Sequence, residues 1–435
     1  MNTAGKKVIN GWAMYDWANS VYNLVITTTF FPIYFLAVTD EHVNFLGKRF
    51  VNSALYNYTM AAAFLLVAIA SPILSSISDT RGNKKSFLKF FTIMGSISCA
   101  ALFFFDKNSL WLGVLAFMLA TMGYCGGLVF YNSYLPEIAA PEDRDRISAR
   151  GFSMGYIGSV ILQLIGFALI LIKPFGLGDD KLVQITFLLV GVWWLGFAQI
   201  TFATLPDTKG TISKHTGSAI MEGFTELRKV YAQVKTMPVL KRFLRGFFFY
   251  SMGVQTVMMA ATIFGSKVLH LPSDKLIGTV VIIQVVAIAG AWGMARLSGI
   301  FGNLRVLIGV VLLWIGICIA GYKMQTAMHF YLLATAVGLV MGGIQSLSRS
   351  TYAKLMPETK DTASFFSYYD VTEKLSIVIG MFSFAYIDDI TNDMRNSVLA
   401  LVVFFVIGLV WIISALLKQQ QTPTPQPRRK EEAVI

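Results

Sequence analysis

The chain has 435 residues and a net charge of +12; 55% of it is hydrophobic, only 14% is charged, and the mean hydropathy is +0.62. Soluble globular chains carry about 25% charged residues, so the composition excludes an ordinary soluble domain and points to a chain solvated mostly by lipid. The excess of Lys and Arg is spread over short loops, an arrangement that argues against a nucleic-acid partner.

A helix crossing the ~30 Å hydrocarbon core needs roughly 20 apolar residues. Twelve such runs lie near 12–38, 51–77, 87–105, 109–135, 150–173, 184–205, 243–265, 276–298, 304–321, 327–348, 363–387 and 396–417. Backbone groups in lipid must be paired internally, so these runs are expected to be helices. With both ends on one side, 26 Lys and Arg fall on that side and 9 on the other, with Lys374 inside a span. The positive-inside rule then puts both termini in the cytoplasm, and the plasma (inner) membrane of a bacterium is the expected location. The first span is too long for a signal-peptide core. Cys99, Cys125 and Cys318 fall within spans, which argues against disulfides and metal.

Span 1 places Asp16, Asn19, Ser20, Asn23 and Thr27 at i, i+3, i+4, i+7 and i+11, one stripe of a helix. A charged carboxylate at the bilayer centre costs roughly 2.5–3.5 kcal/mol on insertion scales, so the stripe is expected to face protein or water. It reads as a cavity wall in which Asp16, Asn19 and Asn23 bind solute or a coupling ion. A structural hydrogen bond to a neighbouring helix is the alternative. Tyr15 and Tyr22 flank the stripe and are placed to stack on a solute.

The loop SDTRGNKK follows span 2, with Gly82 suited to a tight turn. Arg81, Lys84 and Lys85 are expected at the headgroup level. Asp79 gains nothing from anionic lipid there; it is placed to pair with a base or to cap a helix N-terminus, so locking one conformation. Asn132 ends span 4. In span 5, Gly151, Gly155 and Gly158 allow close helix approach.

From 206 to 242 the chain is polar, and SAIMEGFTELRKVYAQVK within it carries Ile220, Phe224, Leu227 and Val230 on one helical face. This reads as a linker helix on the membrane surface. Span 7 holds Gln255. Span 10 ends with Gln345, Ser348 and Arg349 on one stripe. Span 11 holds Asp370, Glu373 and Lys374; Asp370 and Lys374 are spaced for an i,i+4 ion pair, which leaves one charge formally unpaired. The tail from 418 to 435 is rich in Gln, Pro and charge and is expected to be disordered. No Walker loop, nucleophile elbow or zinc motif is present in the sequence, so neither an enzyme nor a cofactor is expected.

Two blocks repeat. YNSYLPE at 131–137 returns as YAKLMPE at 352–358, an offset of 221, and ISDTRGNKK at 77–85 returns as LSGIFGNLR at 297–305, an offset of 220. Each block follows an even-numbered span of its half. The expected fold is therefore all-α, with 12 transmembrane helices in two pseudo-symmetric six-helix bundles, 1–205 and 243–417, the plan of a secondary transporter.

The spacing D-x-x-G-x-K in Asp79, Gly82 and Lys84 resembles the helix 2–3 signature G-x-x-x-D-R-x-G-R-K of the major facilitator superfamily, with Ser75, Thr80 and Asn83 as departures. YDWANSVYNLVITTTFFPIYF, FYNSYLPEIAAPEDRDRISARGFSMGYIGS and GGIQSLSRSTYAKLMPETKDTASFFSYYDVTEK resemble one branch of it, the autophagy-related vacuolar effluxer family and its bacterial relatives. The resemblance implies a twelve-helix transporter, and amino-acid efflux is the activity suggested for the fungal branch. Asp370, Lys374 and Gly380 match that pattern. Glu373 does not, Met252 stands where relatives carry an acid, and span 4 lacks the basic residue of many proton-coupled antiporters.

The expected function is movement of a small polar solute, an amino acid or short peptide favoured and efflux the expected direction, by alternating access in a monomer. No nucleotide-binding domain is evident, so a proton or sodium gradient is the expected energy source. The alternatives are an uptake permease for sugars or cell-wall fragments on the same fold, a multipass membrane enzyme, and a sensor.

Overall fold

The computed structural model of the chain describes residues 2–207, 219–391 and 393–421. Residues 418–421, expected to begin a disordered tail, are helical; the rest of the tail, from 422, and the linker's 208–218 lie outside the described residues. Ten of the described helices are long and apolar enough to cross a membrane. In chain order the N-terminal six are α1 (Lys6–Val38), α2 (Asn52–Arg81), α3 (Lys84–Phe104), α4 (Leu110–Ile138), α5 (Arg144–Ile172) and α6 (Asp179–Thr204). The C-terminal six are α7 (Pro238–Leu269), α8 (Ser273–Phe301), α9 (Asn303–Lys323), α10 (Ala327–Leu355), α11 (Thr362–Thr391) and α12 (Met394–Gln421). α7 and α11 complete the twelve. The apolar run of α11 is interrupted by Asp370, Glu373 and Lys374, a cost that a protein-facing helix tolerates and a lipid-facing one does not.

The helix pairings repeat between the halves. In the first, α1 packs on α5 and α6, α4 on α2 and α3, and α3 on α6; in the second, α7 packs on α11 and α12, α10 on α8 and α9, and α9 on α12. The bundles meet along α2–α11 and α5–α8, with α5 also against α10 and α4 against α11. Lipid offers no hydrophobic drive for helix association, so close backbone approach carries the packing. On the α8–α10 seam a Cβ built on Gly290 would lie 2.0 Å from the carbonyl oxygen of Leu339, and one on Gly342 2.0 Å from that of Ala287.

Most of one face carries the basic loops, where α1 begins and α2 turns into α3; it is called the basic face below. Gly82 turns there at φ 68° and Gly302, its counterpart in the repeat, at φ 86°. A linker helix, Ala219–Thr236, packs on α2 and α11, with Val230 and Val234 buried and Lys229 3.6 Å from Asp361.

Two features depart from the sequence reading. A hairpin pairs His42–Phe45 with Lys48–Val51 on the opposite face, around a two-residue turn with Leu46 and Gly47 both at positive φ. In addition, α1 is π-helical from Tyr22 to Phe30. Val25, Ile26, Thr27, Thr28 and Thr29 form a β-branched run that crowds a regular helix. Pro32 has no N–H to offer back to this turn, and the carbonyl of Thr27 instead accepts from the Tyr56 hydroxyl at 3.2 Å. The wider turn breaks the expected stripe beyond Tyr22.

Candidate functional site

The stripe of α1 lands at the bundle interface only in its first half. Asp16 is buried, and its Oδ2 accepts from the Tyr131 hydroxyl at 2.7 Å and from Arg349 Nη1 and Nη2 at 3.2 and 3.3 Å. Arg349 reaches it from α10. Its Nε donates to Ser148 Oγ at 2.9 Å, Nη2 to the Ser148 carbonyl at 2.8 Å, and Nη1 to Asn132 Oδ1 at 3.2 Å. The guanidinium also stacks over Phe152 and Trp12, at 4.2 and 4.8 Å from the ring centroids. A bare hydrogen at Gly151 makes room: a Cβ there would lie 2.4 Å from Asp16 Oδ2. The cavity wall expected at Asp16 is thus a sealed ion pair between the two bundles.

The neighbours of Asp16 have separate fates. Asn19 is fully buried, and its amide nitrogen has no hydrogen-bond partner. Tyr22, expected to meet solute, packs inside the first bundle instead; its hydroxyl lies 2.7 Å from Thr121 Oγ1 and its ring lies beside Tyr124 and Trp194. Asn23 is exposed, its carbonyl accepting from Thr28 Oγ1.

The Asp79 loop does not lie among headgroups. Asp79 is 5% exposed and accepts from the backbone N–H groups of Ala363 and Ser364 at 3.2 and 2.8 Å and from Ser364 Oγ at 2.8 Å. A carboxylate there satisfies orphan donors at the start of α11 and opposes the positive end of its dipole. Lys84 is also buried; it lies 3.3 Å from Asp79 and bonds Glu137 and Thr362. Lys85 pairs with Asp207 at 3.1 Å, while Arg81 stays exposed. Across the pseudo-axis the second half builds a counterpart. Asp145, at the start of α5, accepts from Ser298 Oγ and Asn303 Nδ2 at 2.7 Å each and pairs with Lys354 at 2.6 Å.

Deeper in the second bundle, Lys374 lies 3.1 Å from Asp370 and 3.6 Å from Glu373, and Gln255 of α7 donates to Glu373 at 3.3 Å. Asp370 and Lys374 are buried and the Glu373 side chain is 25% exposed; Asp370 Oδ2 has no hydrogen-bond partner. Gln345 accepts from the Tyr156 hydroxyl of α5 at 2.6 Å. Most of the sequence candidates therefore fall into three groups, the Asp16–Arg349–Asn132 lock, the Asp79–Lys84 latch and the Gln255–Asp370–Glu373–Lys374 cluster, while Tyr22, Asn23 and Gln345 stand apart from them.

Ser148, Tyr131 and Glu137 complete these groups, Asp145, Asn303 and Lys354 form the counterpart latch and Tyr156 holds Gln345; none was singled out by type or spacing. Glu137 and Lys354 do lie in the two repeated blocks YNSYLPE and YAKLMPE, where the repetition was a signal. Among the described residues, the polar contacts identified between the bundles run from the basic face to mid-depth, so this conformation is closed on the basic face.

Residues 4–422 match the family described as "Vacuole effluxer Atg22 like". The chain is 32% identical to the "Uncharacterized MFS-type transporter YxiO" of Bacillus subtilis (strain 168), covering 96% of this chain and 98% of that one. It is 27% identical to "Autophagy-related protein 22" of Kluyveromyces lactis, over 93% and 92% of the two chains. Its fold is similar to that of the human organic anion transporter MFSD10 (TETRAN), with a TM-score of 0.75 at 11% identity over 94% and 99% of the chains. Twelve helices in two matched bundles, a polar latch at each bundle seam and a match across nearly the whole sequence agree: the chain belongs to the vacuole effluxer Atg22-like family and is a multi-pass membrane transporter of the major facilitator type.

Proposed function

We propose that this transporter exports a small zwitterionic solute, an amino acid or short peptide, by alternating access, and that the α7–α11 cluster is where the solute binds. The observation that carries the reading is two carboxylates, Asp370 and Glu373, sharing the one ammonium of Lys374. Glu373 lies eleven residues into α11, about 16 Å along the helix, near mid-membrane. Lys374 is the closer partner of Asp370, which leaves Glu373, half-buried beside the Gln255 carboxamide, to meet a solute ammonium. An intramembrane charge without a full partner is a functional group by default.

In this reading Asp16, Asn19, Asn132 and Arg349 form the inner gate, and Asp79 with Arg81, Gly82, Lys84 and Lys85 the latch beside it. The basic face is cytoplasmic, both termini included, in the plasma membrane of a bacterium. The bundles span 1–205 and 243–417, joined by the linker 206–242. The protein works as a monomer and draws on a proton or sodium gradient.

The test is transport by the full-length protein in proteoliposomes, with labelled amino acids, dipeptides and sugars offered in parallel. Amino-acid or dipeptide flux is expected, with at least tenfold loss in Glu373→Gln at an unchanged melting temperature. Sugar flux in place of amino-acid flux sinks the proposal and supports the uptake-permease reading. Imposed pH and sodium gradients, applied separately, identify the coupling ion.

A further inference from the structure

On the basic face a cavity of about 380 Å³ opens between the α8–α9 turn and the ends of α10 and α12. Arg305, Lys354, Gln419 and Gln420 form its polar side, and Phe301 and Leu416 its apolar side.

At the matching place in the first bundle the chain supplies its own acid. There Lys85, at the start of α3, pairs with Asp207, just past the end of α6, at 3.1 Å. The repeat offset of 220 carries Lys85 to Arg305, at the start of α9, and the end of α6 corresponds to the end of α12. The end of α12 presents the neutral Gln419 and Gln420 to the cavity. Arg305 is exposed, and among the described residues it has no carboxylate partner; its Nη1 makes one long bond, 3.5 Å, to the Phe301 carbonyl. An ammonium has three donors. Lys354 directs one to Asp145 and one to Asn303 Oδ1 at 2.9 Å, which leaves one for the cavity. Among the described residues the second bundle therefore keeps the cation of the pair without its acid, and the cavity opens beside that cation.

We propose that this cavity binds the phosphate of an anionic phospholipid. A guanidinium matches a phosphate bidentately, and Arg305 with the spare donor of Lys354 supplies the countercharge that Asp207 gives to Lys85. The apolar side selects a lipid over a free anion. Phe301, in the cavity wall, and Leu417, next in α12 to the wall residue Leu416, are each more than half exposed and offer an acyl chain an apolar surface beside the cavity. Basic crevices between helix ends at the cytoplasmic interface suit acidic headgroups.

The experiment uses delipidated full-length protein in a neutral detergent and reads melting temperature and, by native mass spectrometry, retained lipid. The probes are phosphatidylglycerol, phosphatidylcholine, inorganic phosphate and glycerol phosphate. Phosphatidylglycerol is expected to raise the melting temperature by about 3 °C and to be retained; phosphatidylcholine at the same concentration is not. Arg305→Gln is expected to abolish both effects. Gln420→Glu places an acid in the cavity beside Arg305; it is expected to abolish lipid retention as well and to raise the lipid-free melting temperature. That variant decides the matter should Arg305→Gln fold poorly. Equal responses to the two lipids, or retention unchanged in both variants, overturn the site. Reproduction of the shift by inorganic phosphate or glycerol phosphate overturns the lipid assignment in favour of a soluble anion.

Discussion

Asp16 of α1 and Arg349 of α10 are 333 positions apart in the chain and 3.2 Å apart in the fold, both buried, one from each bundle. Removing one partner of a buried pair costs about 3–5 kcal/mol, because the other charge stays dry and uncompensated. Opening the bundles relieves that cost by letting water reach the orphan. Asp16→Asn is therefore expected to fold and to shift toward the state open on the basic face. A reporter cysteine at Ser346, in a background without Cys99, Cys125 and Cys318, should react with an aqueous maleimide at least tenfold faster. Adding Arg349→Gln should reverse part of the change, since no charge is then left unpaired. No change in labelling would falsify the assignment of this pair as the lock.

The Asp79 cap is weaker by the same reasoning. Asn caps a helix about as well as Asp, so Asp79→Asn removes only the charge that faces the α11 dipole and Lys84, about 0.3–1 kcal/mol for the dipole, and Lys84 retains Glu137. Asp79→Asn should accelerate labelling at Ser346 by severalfold, less than Asp16→Asn does. An effect as large as that of Asp16→Asn would mean that the latch on α11, and not the Arg349 pair, dominates closure.

Gly151 tests the lock without touching a charge. The added methyl of Gly151→Ala would meet Asp16 Oδ2 at 2.4 Å and Arg349 Nη2 at 2.9 Å. It is expected to mimic Asp16→Asn in the labelling assay. Gly196→Ala in α6, with nothing within 4 Å of its Cβ, should stay within about 0.5 kcal/mol of the parent. Similar behaviour of the two alanine variants would show that space at Gly151 is not limiting.

The α8–α10 seam predicts a loss of fold and not of gating. Gly290→Ala and Gly342→Ala each force a methyl onto a backbone carbonyl, which cannot rotate away as a side chain can. Overpacking costs about 1–3 kcal/mol even where side chains yield. Both variants should melt several degrees lower in detergent. Gly293→Ala, one turn away in open space, should match or exceed the parent, because alanine is the better helix former by about 1 kcal/mol. Unchanged melting in the first two would contradict the close approach.

The fold was legible because lipid imposes it. Twelve apolar runs, a charge asymmetry and two repeats at one offset leave few alternatives to a duplicated bundle. The acid in SDTRGNKK was legible as a cap or an ion-pair partner because it was out of place in a basic loop, but nothing local to Asp79 names Ser364 as the group it holds. The Asp16–Arg349 pair was hidden for the same reason: each residue is odd in its own span, and only the packing of α1 on α10 through α5 connects them. The displaced stripe beyond Tyr22 has a different cause. A 3.6-residue template cannot anticipate the wider turn that a β-branched run and Pro32 impose. The hairpin at His42–Val51 was lost among longer signals, although Leu46-Gly47 between short strands is a turn of recognisable length.

Every group that holds Arg349 belongs to the opposite bundle: Asp16, Asn132 and Ser148 by hydrogen bonds, Trp12, Tyr131 and Phe152 by their ring faces. Lys84 differs, for Asp79 and Glu137 travel with it. When the bundles part, one latch keeps its ions matched at home, and the other exchanges an ion pair for water on both walls of the gap. Closing the basic face therefore strips water from Asp16 and Arg349 together, a desolvation step that Lys84 and its acids do not share.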